Sequence, residues 1–335
     1  MDKTSINNDN LNYNVYIVTH SLNIIYLIKM FRNLPTEIIC EIIIASNTFD
    51  DAHRLSCSFN VLSLTINSLV KKHSITLDYL SEKGYIDSLI YLAKNDNIKS
   101  FDYSVNAMDF ASKNGHVNVL DWWCMIYRKQ SSRQLKYSID TMDFASEKGY
   151  INVLDWWKQS GLQLKYSYQA MDNASGNGYV NVLNWWKQSS LQLRYSYWAM
   201  NYASSQGNIN VLDWWNQSGF ELEYSDCAMN LASENGHLNV LNWWKQSGLK
   251  LKYSDRAMNS VSENGHVTVL DWWKQSGLQL QYSELAMDGA SRNGYVNVLD
   301  WWKNSGLQLK YSNLAMDWAS SHDDVLDWWT NSGLH

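Results

Sequence analysis

Proline is nearly absent. The chain of 335 residues holds one, Pro35, so no proline-rich linker divides it. Its four cysteines, Cys40, Cys57, Cys124 and Cys227, stand far apart without a CxxC pair, which argues against a disulfide framework and for reduced thiols in an intracellular protein. No block of lysine and arginine relieves a net charge of −6, so nucleic acid is not an expected partner. The opening MDKTSINNDN lacks a basic-then-apolar leader, and the stretch from Val15 to Phe31 is broken by Thr19, His20, Ser21, Asn23 and Lys29. Neither a signal peptide nor a membrane span is expected. GxxxxGK(S/T), GxGxxG, HExxH and GxSxG strings are missing as well, so phosphate, dinucleotide, zinc and nucleophile-elbow chemistry lack their usual signals. The expectation is a non-enzymatic cytoplasmic protein without cofactor or metal.

What is abundant is tryptophan, with pairs beginning at Trp122, Trp156, Trp185, Trp214, Trp243, Trp272, Trp301 and Trp328. Successive spacings of 34, 29, 29, 29, 29, 29 and 27 residues mark a stack of supersecondary units, none able to bury its apolar face alone. The five extra residues lie in CMIYRKQSSRQ after Trp123. A fainter unit, LSEKGYIDSLIYLAK, precedes, with Tyr91 and Leu92 where the pair belongs. About nine units result, the first degenerate. The last, SSHDDVLDWWTNSGLH, is two residues short and carries Asp323, Asp324 and Asp327 as a polar cap.

The unit from Ser254 to Tyr282 shows the local physics. SDRAMNSVSENG reads as a helix capped by Ser254, with Ala257, Met258 and Val261 on one face and Gly265 just past its end. HVTVLDWWKQSG reads as a second helix. Thr268 is placed to cap it, with Asp271 three residues on in the capping-box position; Asn118, Asn152, Asn181, Asn210, Asn239, Asn297 and Asp324 hold the same place elsewhere. At about 100° per residue, Val269, Leu270, Trp272 and Trp273 share one arc of about 160°, so both tryptophans are expected inside. Gly277 ends the helix, and LQLQYS returns the chain as a short extended connector.

In order of elements and helix length the unit resembles the ankyrin repeat: SDRAMNSVSENGH is similar to that family's TPLHxAAxxGH, VLDWW to its VVxLL run and QSGL to its closing xxGA. The resemblance covers about residues 74–335. It departs in a unit about four residues shorter, in YS replacing the TP turn, and in Trp-Trp replacing paired leucines. Variant arrays of this kind resemble those encoded by giant DNA viruses and by amoebal or fungal genomes; a viral source would imply action on host proteins in the host cytoplasm.

Residues 33–73 do not fit the repeat. Leu34, Pro35, Glu37, Ile38 and Ile42, followed by Asp51, Leu55, Cys57 and Phe59, resemble an F-box, although the family's later tryptophan is absent and Phe59 and Leu62 stand nearest its place. The resemblance implies docking to the Skp-type linker subunit of a cullin ubiquitin ligase, with Leu34, Pro35, Glu37, Ile38 and Ile42 as contacts. The bland alternative is a helical cap over the first repeat. Residues 1–32 are an N-terminal segment without a clear assignment.

Three recurring columns carry side chains capable of chemistry. His116, His237 and His266 follow the turn glycine, but Tyr150, Tyr179, Asn208 and Tyr295 hold the same place, which favours turn packing over a metal ladder. Asp109, Asp143, Asp172, Asn201, Asn230, Asn259, Asp288 and Asp317 form one acidic column, and Asp121, Asp155, Asn184, Asp213, Asn242, Asp271, Asp300 and Asp327 another. Exchange of Asp for Asn keeps the acceptor oxygen and drops the charge, so hydrogen bonding is favoured over base or calcium chemistry. Positions that differ between units are better binding candidates: Tyr168, Tyr197, Trp198, Tyr202, Asp226 and Arg256. The expected fold is all-α, an ankyrin-like helical-repeat solenoid with an N-terminal F-box-like module. The expected role is an adaptor between a ubiquitin ligase and a target protein; the alternatives are a stand-alone scaffold that binds or masks a protein, and, more weakly, an aromatic small-ligand binder.

Overall fold

In the computed structural model, residues 34–46, 48–58, 60–94, 103–129 and 134–334 are described, and among them the protein is all-α, with 21 α-helices and no strand. Residues 1–33, with the unassigned N-terminal segment, and Phe59 lie outside the described residues. The chain divides into two units, 1–141 and 142–335.

In the first unit α1 (Thr36–Ala45), α2 (Phe49–Ser58) and α3 (Leu62–His73) pack pairwise around Ile42, Ile43, Phe49, Leu55, Leu62, Ile66 and Leu69. Pro35 precedes α1, where its lack of an N–H costs nothing. At the other end of α1, Lys72 Nζ donates to the carbonyls of Ile44 (2.6 Å) and Ser46 (2.8 Å), groups a helix end otherwise leaves unpaired. Thr48 Oγ1 opens α2 by accepting the Asp51 amide (3.2 Å). Then come α4 (Leu77–Glu82), α5 (Ile86–Lys94), α6 (Asn106–Lys113) and α7 (Val117–Lys129). α7 runs to 13 residues where the second helices of the next six repeats have nine, absorbing part of the insertion after Trp123.

The second unit holds most of α8 (Asp140–Glu147), then α9 (Ile151–Gln159), α10 (Gln169–Gly176), α11 (Val180–Gln188), α12 (Trp198–Ser205), α13 (Ile209–Gln217), α14 (Cys227–Glu234), α15 (Leu238–Gln246), α16 (Arg256–Glu263), α17 (Val267–Gln275), α18 (Leu285–Arg292), α19 (Val296–Asn304), α20 (Leu314–Trp318) and α21 (Asp323–Ser332). First helices pack on the first helix of the next repeat, as α10 does on α12 and α16 on α18, and second helices on the next second helix, as α11 does on α13 and α17 on α19. Eight- and nine-residue helices are too short to persist alone in water, so this stacking carries their stability. In the shortened last repeat a 3₁₀ turn, Ala319–Ser321, takes up the two missing residues.

Hydrogen-bond ladders account for the recurring columns. The second tryptophan of a pair is at most 1% exposed in Trp186, Trp215, Trp244, Trp273 and Trp302. Its Nε1 donates at 3.0 Å to a serine of the preceding repeat: Trp186 to Ser146, Trp215 to Ser175, Trp244 to Ser204, Trp273 to Ser233 and Trp302 to Ser262. Ser233 in turn donates to the Met229 carbonyl (2.8 Å). A large indole is thus buried with its polar atom satisfied. Trp122 is buried, but from Trp156 onward the first tryptophan lies shallower than the arc implied. Trp243 stands edge-on to Trp244 (centroids 5.1 Å apart, 88°), half-buried, because its Nε1 donates to Asp213 (2.7 Å) near the surface. Trp214 uses Asn184 (2.8 Å) and Trp272 uses Asn242 (2.7 Å) in the same way, so the second acidic column is a row of acceptors.

The first acidic column clamps the serine that opens the next repeat. Asp172 accepts from the Ser196 amide (2.9 Å) and hydroxyl (2.5 Å). Where the column holds Asn201, its Oδ1 accepts the Ser225 amide (3.2 Å) and its Nδ2 donates to the Ser225 hydroxyl (2.8 Å). The serine hydroxyl reverses its role, so acid and amide fit one geometry. The serine sits one residue ahead of the expected place: Tyr168 and Asp255 hold the cap positions, and Ser167 Oγ accepts the Gln169 amide (3.1 Å) from just outside the helix.

The second helix starts differently from the expectation. α17 begins at Val267, His266 occupies the cap position and no side chain caps it. Thr268 and the equivalent asparagines lie inside the first turn, where Asn239 Oδ1 accepts only the neighbouring Val240 amide (3.0 Å). Asp271 accepts from Trp301 (2.7 Å) instead of turning back to the cap. Cap side chains reach across repeats: His237 Nε2 donates to the Ser205 carbonyl (3.0 Å) and Asn208 Nδ2 to the Gly176 carbonyl (2.7 Å).

Two glycines separate backbone strain from crowding. Gly265 (φ +78°) would place a Cβ 2.7 Å from the Tyr295 ring, whereas Gly277 (φ +75°) faces open space and its counterpart is Ser190, itself at φ 61°. Gly277→Ala is expected to cost about 1–2 kcal/mol, the left-handed penalty alone. Gly265→Ala must also displace Tyr295, so its urea midpoint falls further; equal midpoints would contradict the packing described.

Candidate functional site

The ladders leave a small set of side chains uncommitted. In the second unit Tyr168, Tyr197 and Tyr202 are 51%, 44% and 37% exposed, and Trp198 is half-buried. Trp198 stacks on Tyr202 (centroids 4.8 Å apart, 23°) and lies 5.2 Å from Tyr197, making one aromatic patch on α12 and the residue before it. Tyr202 can lie against α10 because Gly176 faces it: a Cβ there would sit 2.9 Å from Tyr202 Cβ. No ring contact joins Tyr168 to this patch. It lines a neighbouring groove of about 620 Å³ with Ser167, Leu193, Arg194, Tyr195 and Glu223.

The remaining residues singled out from sequence fall further along the same helices. Asp226 Oδ2 accepts from Asn230 Nδ2 (3.0 Å). Arg256 pairs with Glu234 of the preceding repeat (3.2 Å), and Arg292 pairs with Glu263. Arg256 also borders a second depression, of about 260 Å³, lined as well by Ser260, Gly289 and Trp318. Sequence reasoning missed this notch, although the signal was present: Ser260 and Gly289 stand where other repeats carry Phe110, Phe144, Tyr202 or Leu231.

In the first unit Pro35 and Glu37 are exposed, Leu34 and Ile38 are half-buried, and Ile42 is 5% exposed. Ile42 therefore supports the α1 surface from beneath and does not present to a partner. The bundle is tied to the degenerate repeat through Asp50, whose Oδ1 accepts the hydroxyls of Tyr79 (2.7 Å) and Tyr85 (3.0 Å), while His53 stacks on Tyr85 (3.7 Å, 18°). Burial, with Asp50 beside it, pushes the Tyr85 hydroxyl up to about 12 and raises that of Tyr79 as well. The degenerate repeat keeps its acceptors: Asp78 binds the Ser104 amide (2.9 Å) and Ser81 accepts from Trp123 (3.0 Å).

Burial pushes the thiols of Cys40, Cys57 and Cys124 up, away from the thiolate form a nucleophile needs. Among the described residues no three of His, Cys, Asp and Glu come together as metal ligands, and no helix is long and apolar enough to cross a membrane. No protein-family model matches the chain, and no curated protein matches it.

Proposed function

We propose that this is an interaction adaptor in which the surface opened by Leu34, Pro35, Glu37 and Ile38 docks the Skp-type linker subunit of a cullin ubiquitin ligase and the repeats hold a target protein. One observation carries the reading. The recurring polar and aromatic columns are engaged between repeats, so the variable aromatic residues on the first-helix side remain for a partner, of the types that dominate binding hot spots. Support for the N-terminal half is the α1 edge, where Leu34 and Ile38 stay partly accessible beside exposed Pro35 and Glu37.

A second reading is favoured by the Asp50 clamp. A bundle bonded to α4 and to the turn before α5 also serves as a cap, which a stand-alone scaffold needs. Titration of the intact chain against a purified Skp-type linker subunit separates the two. Binding that weakens at least tenfold in Leu34→Asp/Ile38→Asp, with circular dichroism unchanged, supports the adaptor. A folded chain that does not bind leaves the scaffold.

A further inference from the structure

The residue that opens each first helix changes chemistry along the second unit in blocks: Tyr168 and Tyr197, then Asp226, Asp255 and Glu284. All five share one backbone conformation, with φ between −56° and −64° and ψ between −18° and −29°. Their side chains therefore leave equivalent points one repeat apart, a spacing of about 8–10 Å for packed helices.

Two classes of tyrosine are visible here. Connector tyrosines donate their hydroxyls to the next connector, as Tyr195 does to Glu221 (3.2 Å) and Tyr224 to Lys250 (3.0 Å). Tyr168, Tyr197 and Tyr202, and the Trp198 indole N–H, donate to nothing among the described residues, whereas indoles of the Trp-Trp pairs such as Trp214, Trp215, Trp243 and Trp244 each have an acceptor. Exposed or half-exposed to water, these donors are free to meet a partner's acceptors. The charge pattern is equally specific. Of the arginines in these repeats, Arg256 and Arg292 are each paired with the preceding repeat's glutamate and Arg194 lies over the Tyr166 ring and donates to its carbonyl (3.3 Å), whereas Asp226, Asp255 and Glu284 enter no ion pair among the described residues.

A polyproline-II chain has the matching properties. Every third residue points the same way about 9 Å further on, and its carbonyls have no internal partner, unlike those of a helix. Aromatic surfaces with free hydroxyls are the usual seat for proline rings. Building on the reading that the repeats hold a protein, we infer that its bound segment is an extended polyproline-II stretch with prolines three residues apart over Tyr168 and Tyr197, followed by lysine or arginine at the same interval over Asp226 and Asp255.

Fluorescence anisotropy on the full chain tests this with labelled peptides of the form Pro-x-x-Pro-x-x-Arg-x-x-Arg and its reversed order, against the same composition spaced every fourth residue. One order is expected to bind in the micromolar range, and the four-residue spacing at least tenfold more weakly. Tyr168→Ala/Tyr197→Ala should weaken binding at least tenfold. Asp226→Lys/Asp255→Lys should do the same and restore binding when the two arginines are replaced by glutamate. Failure of both orders, equal binding at the wrong interval, stronger binding of a helical peptide with the same residues seven apart, or indifference to the tyrosine pair overturns the inference. Linker-subunit binding measured on the same samples keeps the outcomes apart: peptides that fail while the linker binds sink this inference and leave the adaptor standing.

Discussion

Trp244→Ala is expected to lower stability by about 3–5 kcal/mol, the range for emptying a buried aromatic site. A buried indole of about 150–250 Å² contributes roughly 4–6 kcal/mol of gross hydrophobic free energy, an upper bound because the unfolded chain is partly compact. The substitution also strips the Ser204 hydroxyl of its donor inside the stack. Trp243→Ala, one residue earlier, removes a half-exposed ring and a bond to a surface carboxylate, so about 1–2 kcal/mol is expected. Urea unfolding followed by circular dichroism compares the two. Equal losses would mean that the paired tryptophans share one role, against the difference in depth described above. Ser204→Ala, which leaves the Trp244 N–H buried and unpaired, should cost about 1–3 kcal/mol by itself.

Asp172→Asn should stabilise the protein at neutral pH. Asp172 is 1% exposed, and burial pushes its carboxyl up to about 6 despite the two bonds from Ser196. The folded state therefore holds this proton more tightly than the unfolded state. Its stabilising contribution is complete below about pH 4 and is lost as pH rises through about 6, amounting to about 2–3 kcal/mol by pH 7 to 8. Protonated, the carboxyl donates to the Ser196 hydroxyl and accepts the Ser196 amide, the arrangement that Asn201, Asn230 and Asn259 adopt with their own serines. The amide keeps those bonds without the charge. Unfolding free energy measured from pH 4 to pH 8 should fall less steeply in the variant than in the wild type. Parallel curves would place the carboxyl in its ordinary range.

The repeat period, the helix pairs, the turn glycines and the inward second tryptophan are legible from sequence, because each follows from local spacing on one helix. The acidic columns are legible as hydrogen-bonding sites from their Asp–Asn exchange. The partners are not. Trp244 meets Ser204 across 40 residues and Ser196 meets Asp172 across 24; both intervals depend on how one repeat slides against the next, which periodicity within a repeat does not encode. The misplaced cap has the same origin. Asn239 is a good capping type, yet the helix starts before it because His237 is held by the preceding repeat, its Nε2 on the Ser205 carbonyl and its ring against Gly207. Of the binding candidates, the aromatic patch around Trp198 was legible as variation between repeats, whereas the burial of Ile42 needed the packing of α1 against α2 and α3.

The bonds that recur between full-length repeats join positions at constant offsets: 24 residues for the serine clamp, 26 for the connector tyrosines, 30 and 40 for the two indoles. Excising or duplicating any 29-residue window therefore rebuilds the same bonds across the seam. Copy number becomes a trait that a gene can change by whole-unit recombination, in either direction, without a new folding problem. Selection on such a gene acts on array length and on the few unconstrained residues separately, so reach and preference evolve independently.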